Sequence, residues 1–169
     1  VRELLRRGHT VTAIVRPKSS KLDTILEGNE EALLSGRLLV TENDLSEPEK
    51  LLEKVTKPQD VFCHFGWGGS GSASRTDKAL QEKNMEISLE TIRTAKALGC
   101  KKFLFSGSQA EYGMHQDLIT EDTVCEPKSL YGEAKLAMRE KGEKLCDELG
   151  LRYIHARIFS AYGPGGRPW

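Results

Sequence analysis

The 169 residues carry 25 Lys and Arg against 25 Asp and Glu, so the formal net charge is zero, and 38% of the residues are apolar. This is the composition of a globular chain long enough for one domain with a real core. No basic block offers a nucleic-acid footprint, no apolar run approaches the ~20 residues of a membrane helix, and Cys63, Cys100, Cys125 and Cys146 share no Cys-x-x-Cys spacing for a zinc site.

The chain is expected to open inside a helix. Val1, Leu4 and Leu5 make an apolar stripe, and Gly8 is a natural C-cap. The opening apolar stretch is too short for a signal peptide, and the cysteines read as reduced thiols of a cytoplasmic protein. Thr10 to Val15 is rich in β-branched residues and predicts a strand, and Arg37 to Val40 a second, shorter one. Pro48 to Val55 predicts a helix with Ser46 as N-cap. Asp60 to Phe65 predicts a strand, with a turn at Gly66 to Gly71. Met85, Leu89, Ile92 and Ala95 mark one face of a long helix that ends at Gly99. Lys102 to Phe105 is the next strand, and 107–129 a long loop of the kind that often carries function. Ser129 is placed to cap a helix running to about Leu149, which Gly150 ends. Arg152 to Ile158 is the last strand, followed by Gly163-Pro-Gly-Gly166.

Strands alternating with helices predict an α/β fold, a doubly wound parallel sheet of the Rossmann-like, nucleotide-binding type. Residues 1–169 read as one partial domain of this kind. The Gly-rich phosphate turn belongs to the first strand–turn–helix, and no Gly-x-x-Gly-x-x-Gly stands at the start. The sheet is therefore expected to lack its first strand, which is central in the order 3-2-1-4-5-6. On this reading the chain is a fragment whose inner sheet edges are open.

Tyr131 and Lys135 are four residues apart on a predicted helix and so point the same way. A phenol titrates near 10 (about that value in model peptides), too high for a base at neutral pH. A cation within a few ångströms favours the phenolate. Ser108 is placed to hydrogen-bond the same substrate oxygen, with Ser106 as the rival serine on the same side of the strand. Tyr and Lys at this spacing also arise by chance in ordinary helices.

The surroundings favour the chemical reading. Lys101-Lys-Phe-Leu-Phe-Ser-Gly-Ser108, Tyr112-Gly113, Glu126 to Lys135 and Arg157 to Gly165 occur in this order. In them the chain resembles the extended short-chain dehydrogenase/reductases, the NAD(P)-dependent nucleotide-sugar epimerase/dehydratase group. Asp44-Leu45, Asp60 to Gly66 and Asn84 also fall where that family has counterparts. The resemblance covers essentially the whole chain. It implies a catalytic set of Ser108, Tyr131 and Lys135: Tyr131 as acid/base, Lys135 lowering its pKa and binding the nicotinamide ribose, and Ser108 orienting the substrate oxygen. It implies NAD or NADP as cofactor, a nucleotide-linked sugar as substrate, and a homodimer formed through the helices around Asn84 and Tyr131.

Further positions follow from the same resemblance. Asp44 and Leu45 match an adenine-binding pair, although Asp44 also reads as a helix-leading residue. Phe65, Gly66 and Trp67 match a turn against the cofactor, with Trp67 replacing a smaller residue, and Asn84 matches a structural support. Arg16, with Lys18 nearby, follows the first strand, where an acid would bind the 2′-hydroxyl of NAD and an Arg accommodates the 2′-phosphate of NADP. This tilts the expectation towards NADP, against a solvated basic turn. Gln109 and Ala110 stand where the family's dehydratases carry Asp-Glu, so dehydration is disfavoured. Gln109 and Glu111 themselves read as a solvated loop. Ser160 replaces an Asn found in several sugar-nucleotide epimerases, which weakens a UDP-hexose 4-epimerase reading and leaves a 4-ketoreductase equally open. His64, His115 and His155 have no metal spacing and read as ordinary residues. The alternative function is a non-enzymatic NAD(P)-binding regulator, and the intact Ser108, Tyr131 and Lys135 argue for the enzyme.

Overall fold

The structure, a computed structural model, describes residues 1–161 apart from 21, 70 and 72. The expected turn from Gly163 to Gly166 lies outside the described residues. The chain forms two compact units, Val1–Lys57 and Pro58–Trp169.

In the first unit, α1 (Arg2–Arg6) leads to β1 (Val11–Val15), α2 (Leu22–Leu26), α3 (Glu30–Leu34), β2 (Leu38–Glu42) and α4 (Leu51–Lys54). The strands run parallel, with Val11 opposite Leu38 and Val15 opposite Glu42. Leu5, Ala13, Ala32 and Leu38 form the core, and Val11, Ile25 and Val40 pack against it. The sequence reading passed over α2 and α3. Each is only five residues long, and Gly28, at φ +72, interrupts what would otherwise be one apolar periodicity. The helix expected at Pro48 to Val55 begins as a 3-10 turn over Pro48–Lys50, capped by Glu47 without a side-chain bond. Ser46 is not the cap. Its N–H and hydroxyl both donate to Asp44 Oδ1, at 2.9 and 2.6 Å, which is a local Asx turn.

In the second unit, β3 (Val61–His64), β4 (Lys102–Ser108) and β5 (Arg152–Ile158) make a parallel sheet in that order. Two long helices connect them, α5 (Lys78–Ala97) and α6 (Leu130–Leu149). Parallel register lines residues up in rows across the sheet. Phe62, Phe103 and Tyr153 form one row, with ring centroids 5.6 and 6.4 Å apart. His64, Phe105 and His155 form the next, at 5.9 and 5.5 Å. These rows, with Ile92, Ala95, Met138 and Cys146, bury the centre of the unit. Ser129 caps α6 as expected, accepting from the Gly132 N–H at 3.1 Å, and Gly150 ends it at φ 66. Two expectations need correction. β4 continues to Ser108, and residues Gln109–Glu111 form a 3-10 turn, so the long loop begins only after it.

Parallel strands joined through helices make the architecture α/β and Rossmann-like. Among the described residues, β1 pairs with β2 in one sheet, and β3, β4 and β5 form another. Among the described residues no helix is long and apolar enough to cross a membrane.

Candidate active site

In open parallel sheets, ligands bind beyond the carboxyl ends of the strands. In the second unit those ends carry Phe65, Gly66 and Trp67 after β3, and Ser106 to Ser108 in β4. Helix α6 brings Tyr131 and Lys135 from its first turns. The approach depends on Gly132, since a Cβ there would run into the carbonyl oxygen of Ala110. The backbone beside Tyr131 is thus held against the turn that Ser108 begins.

Lys135 is only 2% exposed. Its Nζ donates to the Ser106 carbonyl at 2.8 Å. The same nitrogen lies 3.9 Å from the centre of the Trp67 ring, 4.6 Å from Phe105 and 5.8 Å from Tyr131. Aromatic faces attract a cation but do not replace its water. Burial accordingly pushes the ammonium pKa down to about 7, and the negative charge of Glu111 pulls it only partly back. His64, buried and bonded to Ser88 Oγ at 3.2 Å, is driven down to about 3 by burial and by the nearby Lys135 charge. It is a neutral core residue.

Tyr131 is half-buried, edge-on to Trp67 at 6.2 Å, with the Arg75 guanidinium 4.9 Å from its ring centre. Trp67 covers Lys135 and donates from Nε1 to Gln81 Oε1 at 3.0 Å. Asn84 supports the turn as expected: its side chain accepts from the Gly68 N–H and donates to the Gly68 carbonyl, both at 2.9 Å. Phe65 is 64% exposed. In the first unit, Arg16 and Asp44 are exposed and Leu45 is half-buried, each at or just beyond a strand end.

Ser108 ends β4 and caps the 3-10 turn. Its Oγ accepts from the Ala110 N–H at 3.2 Å, and its own N–H donates to Glu111 Oε1 at 2.7 Å. Glu111 is not part of a solvated loop, although Gln109 is exposed. Glu111 is fully buried, with His155 Nε2 3.0 Å from both carboxylate oxygens and Arg157 Nε 2.9 Å from Oε2. Burial raises its pKa, but the bonds from His155, Arg157 and the Ser108 N–H outweigh it and hold the carboxyl below its ordinary value. Nor is His155 merely an ordinary strand residue. The Tyr153 hydroxyl donates to the Met138 carbonyl at 2.9 Å, and His155 Nδ1 lies 3.2 Å from the same hydroxyl. Arg157 Nη1 donates to the Tyr112 hydroxyl at 2.8 Å. The sequence signal for this cluster was the i, i+2 spacing of His155 and Arg157, which puts both on one face of a strand. Among the described residues no group of three or more His, Cys, Asp or Glu side chains is arranged to hold a metal ion.

A parallel α/β sheet of this kind is a nucleotide-binding architecture. Residues 1–168 match the NAD dependent epimerase/dehydratase family, and the chain belongs to that family. It is 28% identical over 169 residues to the UDP-glucose 4-epimerase of Lactobacillus helveticus, covering 96% of this chain and 48% of that protein. It is 29% identical over 161 residues to the D-erythronate dehydrogenase of Cupriavidus necator, covering 93% and 48%. The UDP-glucose 4-epimerase of Thermus thermophilus, solved in complex with NAD, matches with a TM-score of 0.79 at 20% identity, over 99% of this chain and 53% of that one. That last likeness is one of fold. The chain spans about half the length of these curated relatives.

Proposed function

We propose that the protein is an NAD(P)-dependent epimerase or ketoreductase acting on a nucleotide-linked sugar, with Tyr131 as acid/base. The observation that carries this reading is Lys135. An ammonium buried at the carboxyl end of a parallel sheet, one helical turn from a half-buried tyrosine, is costly for folding alone and is the kind of perturbed group that marks working sites. The residues fit the nicotinamide end of a dinucleotide. Lys135 has three N–H donors, of which the Ser106 carbonyl takes one, and Phe65, Gly66 and Trp67 offer backbone and ring surface beside it. NAD(P), when bound, supplies the hydride chemistry.

The chain's own residues handle the proton. Tyr131, as the phenolate, takes it from a carbinol O–H as the carbonyl forms and, as the phenol, returns it in the reverse direction. Ser108 donates a hydrogen bond to the same oxygen. Lys135 exchanges a proton near neutral pH and holds charge beside the phenol. Relatives of the chain are named UDP-glucose 4-epimerase and D-erythronate dehydrogenase, and a carbinol oxidation step is proposed on that basis. In the first unit, Arg16, Asp44 and Leu45 are proposed as cofactor contacts, Arg16 favouring NADP, and a homodimer is proposed on the family resemblance. The activity is proposed for the full-length protein. The 169 residues contain no Gly-rich phosphate turn, and alone they are expected to be inactive.

The test is Tyr131→Phe in the full-length protein. Turnover should fall at least about 10²-fold, the scale of lost acid–base catalysis, with cofactor binding retained. Lys135→Met should lower both. Normal turnover in Tyr131→Phe overturns the reading.

A further inference from the structure

The cluster around Glu111 takes no direct part in the proton transfer just described, yet Glu111 is fully buried. One of its bonds leads directly to the candidate site. Glu111 Oε1 accepts from the Ser108 N–H at 2.7 Å, while Ser108 Oγ accepts from the turn's own backbone at Ala110, at 3.2 Å. These reciprocal bonds fix both the backbone of Ser108 and the direction of its oxygen. A hydroxyl has two lone pairs and one proton. With a lone pair committed to Ala110, the proton is the group left to reach a substrate oxygen.

Glu111 in turn is held from the neighbouring strand. His155 lies opposite Phe105 and Arg157 opposite Gly107 in the parallel register. Both reach across to the carboxylate, at 3.0 and 2.9 Å. A Cβ at Gly107 would fall 2.5 Å from His155 Nε2 and 2.7 Å from Glu111 Oε1, so the pair requires glycine there. Rotating Glu111 away would leave a buried carboxylate and a largely buried guanidinium unpaired.

We propose that Glu111, anchored by His155 and Arg157, is a positioning residue that sets the Ser108 hydroxyl for the substrate oxygen. This rests on the reading of Ser108 given above. The charge of Glu111 also raises the Lys135 pKa, so kcat is taken at its plateau in pH, where Glu111 is expected to act on turnover through Ser108, and a double-mutant comparison separates that from a general structural role.

The experiment measures kcat in the full-length protein for Glu111→Gln, Ser108→Ala and the double variant. Gln keeps the size of the side chain and a carbonyl acceptor but loses the charge that binds His155 and Arg157. Glu111→Gln should lower kcat about tenfold or more, the scale of a misplaced reacting group, and should add almost nothing in the Ser108→Ala background. An equal loss in both backgrounds, or no loss, overturns the proposal. If Glu111→Gln is not recovered folded, His155→Phe decides by the same comparison. It keeps a ring against Phe105 and removes one anchor of Glu111. If Ser108→Ala itself turns over normally, the reading of Ser108 fails, which is a different result from additivity.

Discussion

The two units differ in that only the second, beside surface ion pairs such as Lys78–Glu82 and Arg93–Glu90, buries a charge cluster among the described residues. In the first, ion pairs lie at the surface. Glu3 binds Arg6 and Arg7 at 2.7 and 2.6 Å with all three side chains more than half exposed. In the second, Glu111, His155, Arg157 and Lys135 are withdrawn from water. Both units are parallel strands with helices, so the difference is not one of architecture. A surface pair gains little, because water and salt screen it. A buried charge must be matched by partners or give up its proton. Glu111 has taken the first course, Lys135, with its pKa lowered to about 7, stands between the two, and the chemistry of the family is expected where the second unit bears that strain.

The sharpest way to break the comparison is to delete one carboxylate from each unit. Glu111→Ala strands the Arg157 guanidinium and should destabilise the second unit by about 3 kcal/mol or more at neutral pH. Glu3→Ala should leave urea denaturation unchanged. The Glu111 effect has a pH signature. Its folded pKa lies below the ordinary 4.5. The stabilisation is therefore complete above the unfolded value and lost as pH falls through the lowered one. The gap between wild type and Glu111→Ala should narrow on acidification. A loss for Glu3→Ala equal to that for Glu111→Ala would mean the burial contrast has no energetic meaning.

Lys135 should give a slope of the same sign at higher pH, but as a cost of burial and not as a gain. Its folded pKa of about 7 lies below the ordinary 10.5. Between these values the unfolded chain binds the proton and the folded chain does not. Stability should then rise with pH across that window, by at most about 1.4 kcal/mol per pH unit. Lys135→Met should abolish the slope and be the more stable protein at pH 7, with the two converging near pH 10.5. Urea denaturation at several pH values measures it, and a wild-type slope no steeper than that of Lys135→Met would mean that burial does not perturb this lysine.

Part of this was legible in the sequence. Arg152 to Ile158 was bounded correctly because β-branched and aromatic residues fill it between clear punctuation, and α6 because Ser129 and Gly150 mark both ends. The pairing of Tyr131 with Lys135 on one helix needed only the spacing. What was not legible depended on contacts distant in sequence. Glu111 looked solvated because its partners lie 44 and 46 residues away, and only the register of β4 with β5 brings them together. The contact of Trp67 with the Lys135 ammonium was not legible because it crosses from the turn after β3 to α6. The short helices α2 and α3 were missed because five residues hold too little periodicity to detect.

The smallest expected effect returns to the first unit and to an exposed charge. Arg16 follows β1, and its carbonyl accepts from the Ser19 N–H at 3.2 Å, which closes the turn after the strand. Lys18 in that turn adopts φ 56, a left-handed conformation that a residue with a Cβ rarely takes. The turn is therefore a specific conformation and not a loose end, and it presents Arg16 at the carboxyl end of a parallel strand, where ligands of such sheets bind. A guanidinium there would make charge-assisted bonds to a 2′-phosphate and none of that kind to a 2′-hydroxyl. In the full-length protein, Arg16→Asp should shift the ratio of kcat/KM for NADP over NAD towards NAD by about tenfold, equivalent to ~1.4 kcal/mol. The exposure of Arg16 limits the effect, since screening weakens a surface charge that would be worth far more buried. An unchanged cofactor ratio would remove Arg16 from the cofactor site and leave the first unit's charges as surface groups alone.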